Sequence, residues 1–196
     1  MDCKGLWPFQ PVSLGVMLRI IIKYLILTII IGATIPVMTY ANENKEGSAN
    51  LREMVFNLKP DQIGLTKENF KHPVWGIVME TGLSEGYFTL VSLADGTTSL
   101  YFSNGGGIIG GGEHENVREA SGYFLTGAQH FYKKATKVTK HPAPNDGEVK
   151  FYFLTFNETL MYSAPEEKLG NDKNELSELF YAAHGVITEL RKLHDK

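Results

Sequence analysis

The residues best suited to chemistry crowd into one stretch, 103–115, which reads SNGGGIIGGGEHE. Six glycines fall within the eight residues 105–112, around the pair Ile108 and Ile109, with Glu113, His114 and Glu115 directly behind them. Glycine is the costliest residue to order on folding, so such a cluster needs a reason. Gly105-x-Gly107-x-x-Gly110 is formally a dinucleotide fingerprint, which requires an acidic residue about 20 positions further on, at the end of the next strand. Here that region reads QHFYKKA and continues a helical pattern. No nucleotide cofactor is expected.

Gly82-Leu83-Ser84-Glu85-Gly86 fits the pattern of a nucleophile elbow, a turn from strand to helix on a large parallel sheet. In this chain it joins two short strand-like runs and reads as a turn. The amides of 110–112 at a helix start are a possible anion cradle. No Walker-type Lys or Ser/Thr accompanies them, and Glu113 and Glu115 already supply the negative charge a helix start favours. His114-Glu115 is followed by Asn116, Val117 and Arg118 rather than by a second His at zinc-site spacing. His130, His184 and His194 lack a partner at ligand spacing, so no metal is expected. Lys133, Lys134, Lys137 and Lys140 gather where a helix should end, the ordinary place for cations. Asn157-Glu158-Thr159 is a glycosylation sequon by pattern.

Two explanations of the glycines remain open. One is structural: the chain leaves a strand, reverses and enters a closely packed helix. The other is recognition, with bare backbone approached by a peptide strand or small ligand and the isoleucines as an apolar tip. The candidate binding residues are Asn104, Gly105, Gly106, Gly107, Ile108, Ile109, Gly110, Glu113 and His114. No catalytic residue is assigned. The alternative is a small hydrolase-like enzyme with the loop amides as an oxyanion nest and His114 or Glu115 as general acid or base. It would need a cleft bringing His114 near Ser103, Ser84 or His184.

These residues need a frame. VWGIVMET (74–81) is a near-continuous apolar run, as in a strand buried on both faces. YFTLVSLA (87–94) and TTSLYFS (97–103) alternate, with Asp95-Gly96 between them as a hairpin signal. A helix is predicted over 114–135, with Val117, Ala120, Phe124, Ala128 and Phe131 on one stripe. KVTKHPAPNDGE reads as a loop, followed by strands VKFYFLTF (149–156) and TLMYSA (159–164). A final helix over 174–193 buries Leu176, Leu179, Phe180, Ala183, Ile187 and Leu190, with Asp172 and Glu175 resembling a capping box. The order β-β-β-α-β-β-α with tight hairpins predicts an α+β domain, an antiparallel sheet of about five strands with the helices packed on one face.

The N-terminal part reads differently. Arg19 and Lys23 precede an apolar segment over 25–37, Pro36 breaks it, and Thr39-Tyr40-Ala41 ends on a small residue. That is the layout of a signal peptide cleaved after Ala41; the alternative is an uncleaved membrane anchor over 24–41. Residues 1–16 add nothing a signal needs, and Met17 is a plausible true start. Residues 42–73 are expected to be a polar tether with a short helical segment stopped at Pro60, and 74–196 a single domain. The only cysteine, Cys3, precedes the signal, so thiol and disulfide chemistry are not expected beyond it. Removing Lys4, Arg19 and Lys23 leaves a modest acidic excess, opposite to a nucleic-acid binder.

SLYFSNGGGIIGGGEHENVREA, VKFYFLTF and LFYAAHGVITEL together resemble a bacterial protein family with no assigned activity, over about residues 74–193. The resemblance implies a bacterial origin and brings no site residues with it. A weaker likeness is to roadblock-type, profilin-like domains, which also place an Asp-Gly hairpin before a helix. Those usually carry three strands between their later helices, whereas 136–173 reads as two. The expected protein is exported, periplasmic or anchored by its N-terminal segment, without cofactor. It binds an unidentified protein or small ligand of the cell envelope and touches membrane only through that segment.

Overall fold

The computed structural model describes residues 40–194. The expected signal or anchor at 1–41 lies outside the described residues, except for Tyr40 and Ala41. Among the described residues no helix is long and apolar enough to cross a membrane.

The architecture is α+β with an antiparallel sheet. Helix α1 (Tyr40–Asn57) precedes strands β1 (Val74–Leu83), β2 (Gly86–Leu93), β3 (Thr98–Phe102) and β4 (Gly107–Ile108). Helix α2 (Glu115–Phe131), strands β5 (Thr136–Val138), β6 (Glu148–Thr155) and β7 (Thr159–Pro165), the short α3 (Glu166–Gly170) and α4 (Ser177–His194) follow. The strand order is β4-β3-β2-β1-β6-β7-β5, with every neighbouring pair antiparallel.

The sheet thus has seven strands rather than about five. The additions are β4, inside the glycine loop, and β5, inside the segment read as a loop. Both are too short to show a period of two. A strand of two residues has no alternation at all, and the glycine of β4 argues against strand by propensity. Residues 136–173 accordingly carry three strands, not two.

β1 is central because its residues can be buried on both sides, and all of 74–82 is buried. The Asp95 carboxylate accepts from the Thr97 amide at 2.9 Å and the Thr97 hydroxyl at 3.0 Å, while Gly96 takes φ +93°. That side-chain turn fixes the β2–β3 register. Strand alternation then separates two faces. Val74, Ile77, Met79, Leu90, Leu100, Val149, Phe151 and Phe153 join Val117, Phe124 and Ala128 of α2, and Leu179, Ala183, Val186 and Leu190 of α4, in the main core. Gln129 of α2 clasps the start of β1, its amide donating to the Val74 carbonyl at 2.6 Å and accepting from the Val74 N–H at 3.1 Å. The α4 cap differs from expectation: Asn174 Oδ1 accepts from the Leu176 N–H at 2.8 Å, and Asp172 takes a left-handed φ of 55° instead.

The expected order holds two helices that share one face. α2 and α4 do so, but α1 lies over the other face, where Arg52 meets Glu80 and Phe56 meets Tyr152. The cause is the sheet's own alternation, which puts Glu80, Thr89, Tyr101 and Lys150 in one register row on that face. Residues 42–50, read as a tether, are the first half of this helix.

Candidate functional site

The glycine segment is a hairpin of main chain against β3. The Phe102 N–H donates to the Gly106 carbonyl at 3.1 Å, and Tyr101 and Leu100 lie opposite Gly107 and Ile108. A Cβ on Gly107 would sit 2.3 Å from the Leu100 carbonyl oxygen, so only glycine allows this approach. The chain then turns at Gly110, with φ +74°, into a 3-10 turn (Gly111–Glu113) that leads into α2. A Cβ on Gly112 would fall 1.8 Å from the Gly96 carbonyl oxygen, and one on Gly111 2.2 Å from Leu190 Cδ2. The formal dinucleotide fingerprint is therefore the β3–β4 hairpin and the packing of a helix start. Leu83 and Gly86 of the elbow-like pattern flank a two-residue turn, Ser84-Glu85, between antiparallel strands.

The two isoleucines divide. Ile108 is half-buried against the main core, whereas Ile109 is 66% exposed. Because Phe102 and Gly106 pair directly, two-residue alternation aims the backbone groups of Gly107 and Ile109 outward, away from β3. β4 is the last strand on its side of the sheet. Asn104, Gly106, Glu113 and His114 are exposed, and Gly105 and Gly110 are partly so. Ser103, Asn104, Glu85 and Gly86 line a shallow cleft of about 340 Å³ at the β1–β2 turn. His114 begins α2 without a side-chain cap bond, and it lines neither this cleft nor the one beside Arg52. Among the described residues no three His, Cys, Asp or Glu side chains gather as a metal site.

The second face holds a polar centre that the sequence reading missed. Glu80 is fully buried, and Arg52 of α1 grips it with both arms, Nε to Oε1 at 2.6 Å and Nη2 to Oε2 at 2.9 Å. Thr89 donates its hydroxyl to Oε1 at 3.1 Å, and Arg52 Nη2 also donates to the His141 carbonyl at 2.7 Å. The guanidinium carbon stands 5.0 Å from the Phe56 ring centre and 5.6 Å from that of Tyr87. Phe56 in turn stacks on His141 at 4.0 Å.

Burial works against the Arg52 charge, and the Glu80 carboxylate overrides it, holding the guanidinium above its ordinary value. Burial, with the Glu80 charge behind it, pushes the Tyr101 and Tyr152 phenols up, so both stay protonated. The His141 imidazole is lowered by burial and then by Arg52, and is neutral at pH 7. Lys150, opposite Glu80 in register, turns to the Pro142 and Ala143 carbonyls at 3.2 and 3.1 Å. An open cleft of about 400 Å³ lies against this centre, between Ala49, Arg52, Phe56, Tyr87 and His141. One signal for it was available: Glu80 is the single charge in the apolar run 74–81, and a carboxylate in a central strand requires a partner.

The chain matches no family model, no curated protein and no solved structure.

Proposed function

We propose that this protein is an exported, non-catalytic binding domain that takes an extended segment of a cell-envelope polypeptide as an added strand on β4. The supporting observation is the contrast between the two edges of the sheet. The β5 edge carries Lys137, with Lys133, Lys134 and Lys140 beside it, the usual defence of an exposed edge against strand pairing. The β4 edge carries no charge from Ser103 to Gly112, presents outward backbone at Gly107 and Ile109, and keeps Ile109 in solvent. Main-chain pairing of this kind supplies affinity, and the side chains beside the edge supply specificity.

Charge indicates the partner. Between Lys71 and Arg118 the chain has no Lys or Arg, and its charged residues are Glu80, Glu85, Asp95, Glu113 and Glu115. With Glu80 neutralised by Arg52, exposed Glu85, Glu113 and Glu115 remain. An apolar segment flanked by Lys or Arg fits this acidic frame. The hydrolase-like reading rests on His114 and Glu115, which are both exposed, and the geometry gives it no support. The third strand between α2 and α4 brings the count to that of roadblock-type, profilin-like domains, and that likeness, with the bacterial origin, belongs to this proposal.

The test is a titration with a blocked hexapeptide of alternating valine and threonine between terminal lysines. It should shift the Gly107 and Ile109 amide resonances saturably, weaken as salt rises, and fail on Ile109→Asp. Shifts that spare those two amides, or a titration unchanged in Ile109→Asp, would remove the β4 reading.

A further inference from the structure

We propose that the sheet face around Glu80 is a guanidinium-binding site, occupied from within the chain by Arg52 and open to an external guanidino group when α1 lifts. This inference is independent of the β4 reading.

The geometry points to guanidinium rather than to a cation in general. The two oxygens of Glu80 meet two different nitrogens of one planar group, the fork-to-fork match that an ammonium cannot make. The Thr89 hydroxyl holds the carboxylate from the sheet side. A third acceptor, the His141 carbonyl, takes a further Nη2–H, and the Phe56 and Tyr87 rings flank the cation. Carboxylate, carbonyl and aromatic walls come from β1, from the loop before β6, from α1 and from β2. Glu80, Thr89, Tyr87 and His141 therefore remain as a preformed cup if the guanidinium leaves.

The occupant is held lightly for so buried a partner. From Gly47 to Asn57, α1 buries only Ser48 and Val55, while Met54 is 60% exposed. Arg52, with Phe56, supplies the specific contacts of the helix with this face. The cleft of about 400 Å³ runs alongside the guanidinium and gives a small group a way in. On the same face Tyr101 Oη, and at the cleft His141 Nε2, are buried without a hydrogen-bond partner, so the polar equipment here exceeds what Arg52 uses. A purely structural ion pair does not call for that surplus.

The experiment uses the full-length protein with ethylguanidinium, and ethylammonium as the control cation. In Arg52→Ala, ethylguanidinium should raise Tm saturably with half effect near 10 mM, about the affinity of one ion pair for a small ligand. Ethylammonium should not, and Arg52→Ala/Glu80→Gln should answer to neither. In the unaltered protein, ethylguanidinium should speed hydrogen exchange of the amides of 47–57 about twofold or more, by competing with Arg52. No guanidinium-specific rise in Arg52→Ala, or the same rise in the double variant, would overturn the site. If Arg52→Ala does not fold, unchanged exchange over 47–57 in the unaltered protein overturns it. A peptide of sequence 46–57 separates two sources of the same chemistry. Competition about tenfold stronger than ethylguanidinium assigns the site to an arginine of a polypeptide, and equal strength assigns it to a small guanidino compound.

Discussion

Three alanine substitutions, two in the glycine segment and one inside α2, separate contact from conformation. Gly112 has no unusual φ, but a Cβ there would lie 1.8 Å from the Gly96 carbonyl oxygen, backbone against backbone. Reaching even 3.0 Å requires the β2–β3 turn and the start of α2 to part by about 1.2 Å, with no flexible side chain to absorb the move. Overpacking costs about 1–3 kcal/mol, and rigid main chain on both sides puts Gly112→Ala at the upper end, about 3 kcal/mol. For a domain of this size that is a fall in Tm of about 6–12 °C. Gly106 is the opposite case, with open space around a Cβ but φ +82°. Left-handed strain alone should cost Gly106→Ala about 1–2 kcal/mol. Gly122 sits inside α2 with nothing within 4 Å of a Cβ, so Gly122→Ala should gain about 0.5–1 kcal/mol. The expected order of Tm by calorimetry is Gly122→Ala, unaltered protein, Gly106→Ala, Gly112→Ala. Should Gly112→Ala melt within about 1 °C of the unaltered protein, close packing is not why these glycines are there.

Removing one partner of the buried pair should be far worse than removing both. Arg52→Ala should cost about 3–5 kcal/mol by urea unfolding, because Glu80 is fully buried, and Glu80→Gln in that background should recover at least about 1 kcal/mol; strictly additive losses would mean that the two charges do not interact. Acid should weaken the protein before its carboxylates titrate. The His184 imidazole is lowered by burial, against the raising influence of Glu166, and His141 is lowered likewise. Below about pH 6.5 the unfolded chain then binds more protons than the folded one, so stability is full above that value and is lost as pH falls toward the folded values. Urea midpoints between about pH 7.5 and 5.5 should show the fall, and His184→Gln should flatten it; an unchanged slope in that variant would place the effect elsewhere.

Elements were legible wherever the pattern was long enough to repeat. VWGIVMET is the central strand, Asp95-Gly96 makes the β2–β3 hairpin, and the α2 and α4 stripes bury the residues that their period picks out, with Ala120, Phe131 and Ile187 only partly covered. β4 and β5 escaped because two or three residues cannot display a period, and because their pairing is granted by the neighbouring strand rather than by their own propensity. The first half of α1 escaped for a different reason, while its second half falls in the helical segment expected before Pro60. The stretch ANENKEGSAN has no apolar stripe, and the helix meets the sheet through Arg52 and Phe56 of its second half.

The same argument explains why chemistry-first reading passed over the second centre. A glycine cluster is conspicuous in composition, yet these glycines serve close approach at Gly107, Gly111 and Gly112 and left-handed backbone at Gly105, Gly106 and Gly110, which leaves little for a ligand to touch except one edge and Ile109. Arg52 and Glu80 are each unremarkable in type, and 28 residues separate them. No local spacing rule connects a residue on a polar helix to one in a central strand. What connects them is an obligation: a carboxylate at the centre of a sheet has to find a counter-charge, and the sheet's alternation decides from which side it comes. With α2 and α4 filling one face with apolar side chains, the partner of Glu80 can only arrive over the other. A charged residue inside an apolar strand therefore carries more information about a hidden site than a glycine run does, because its burial is unaffordable without a second element.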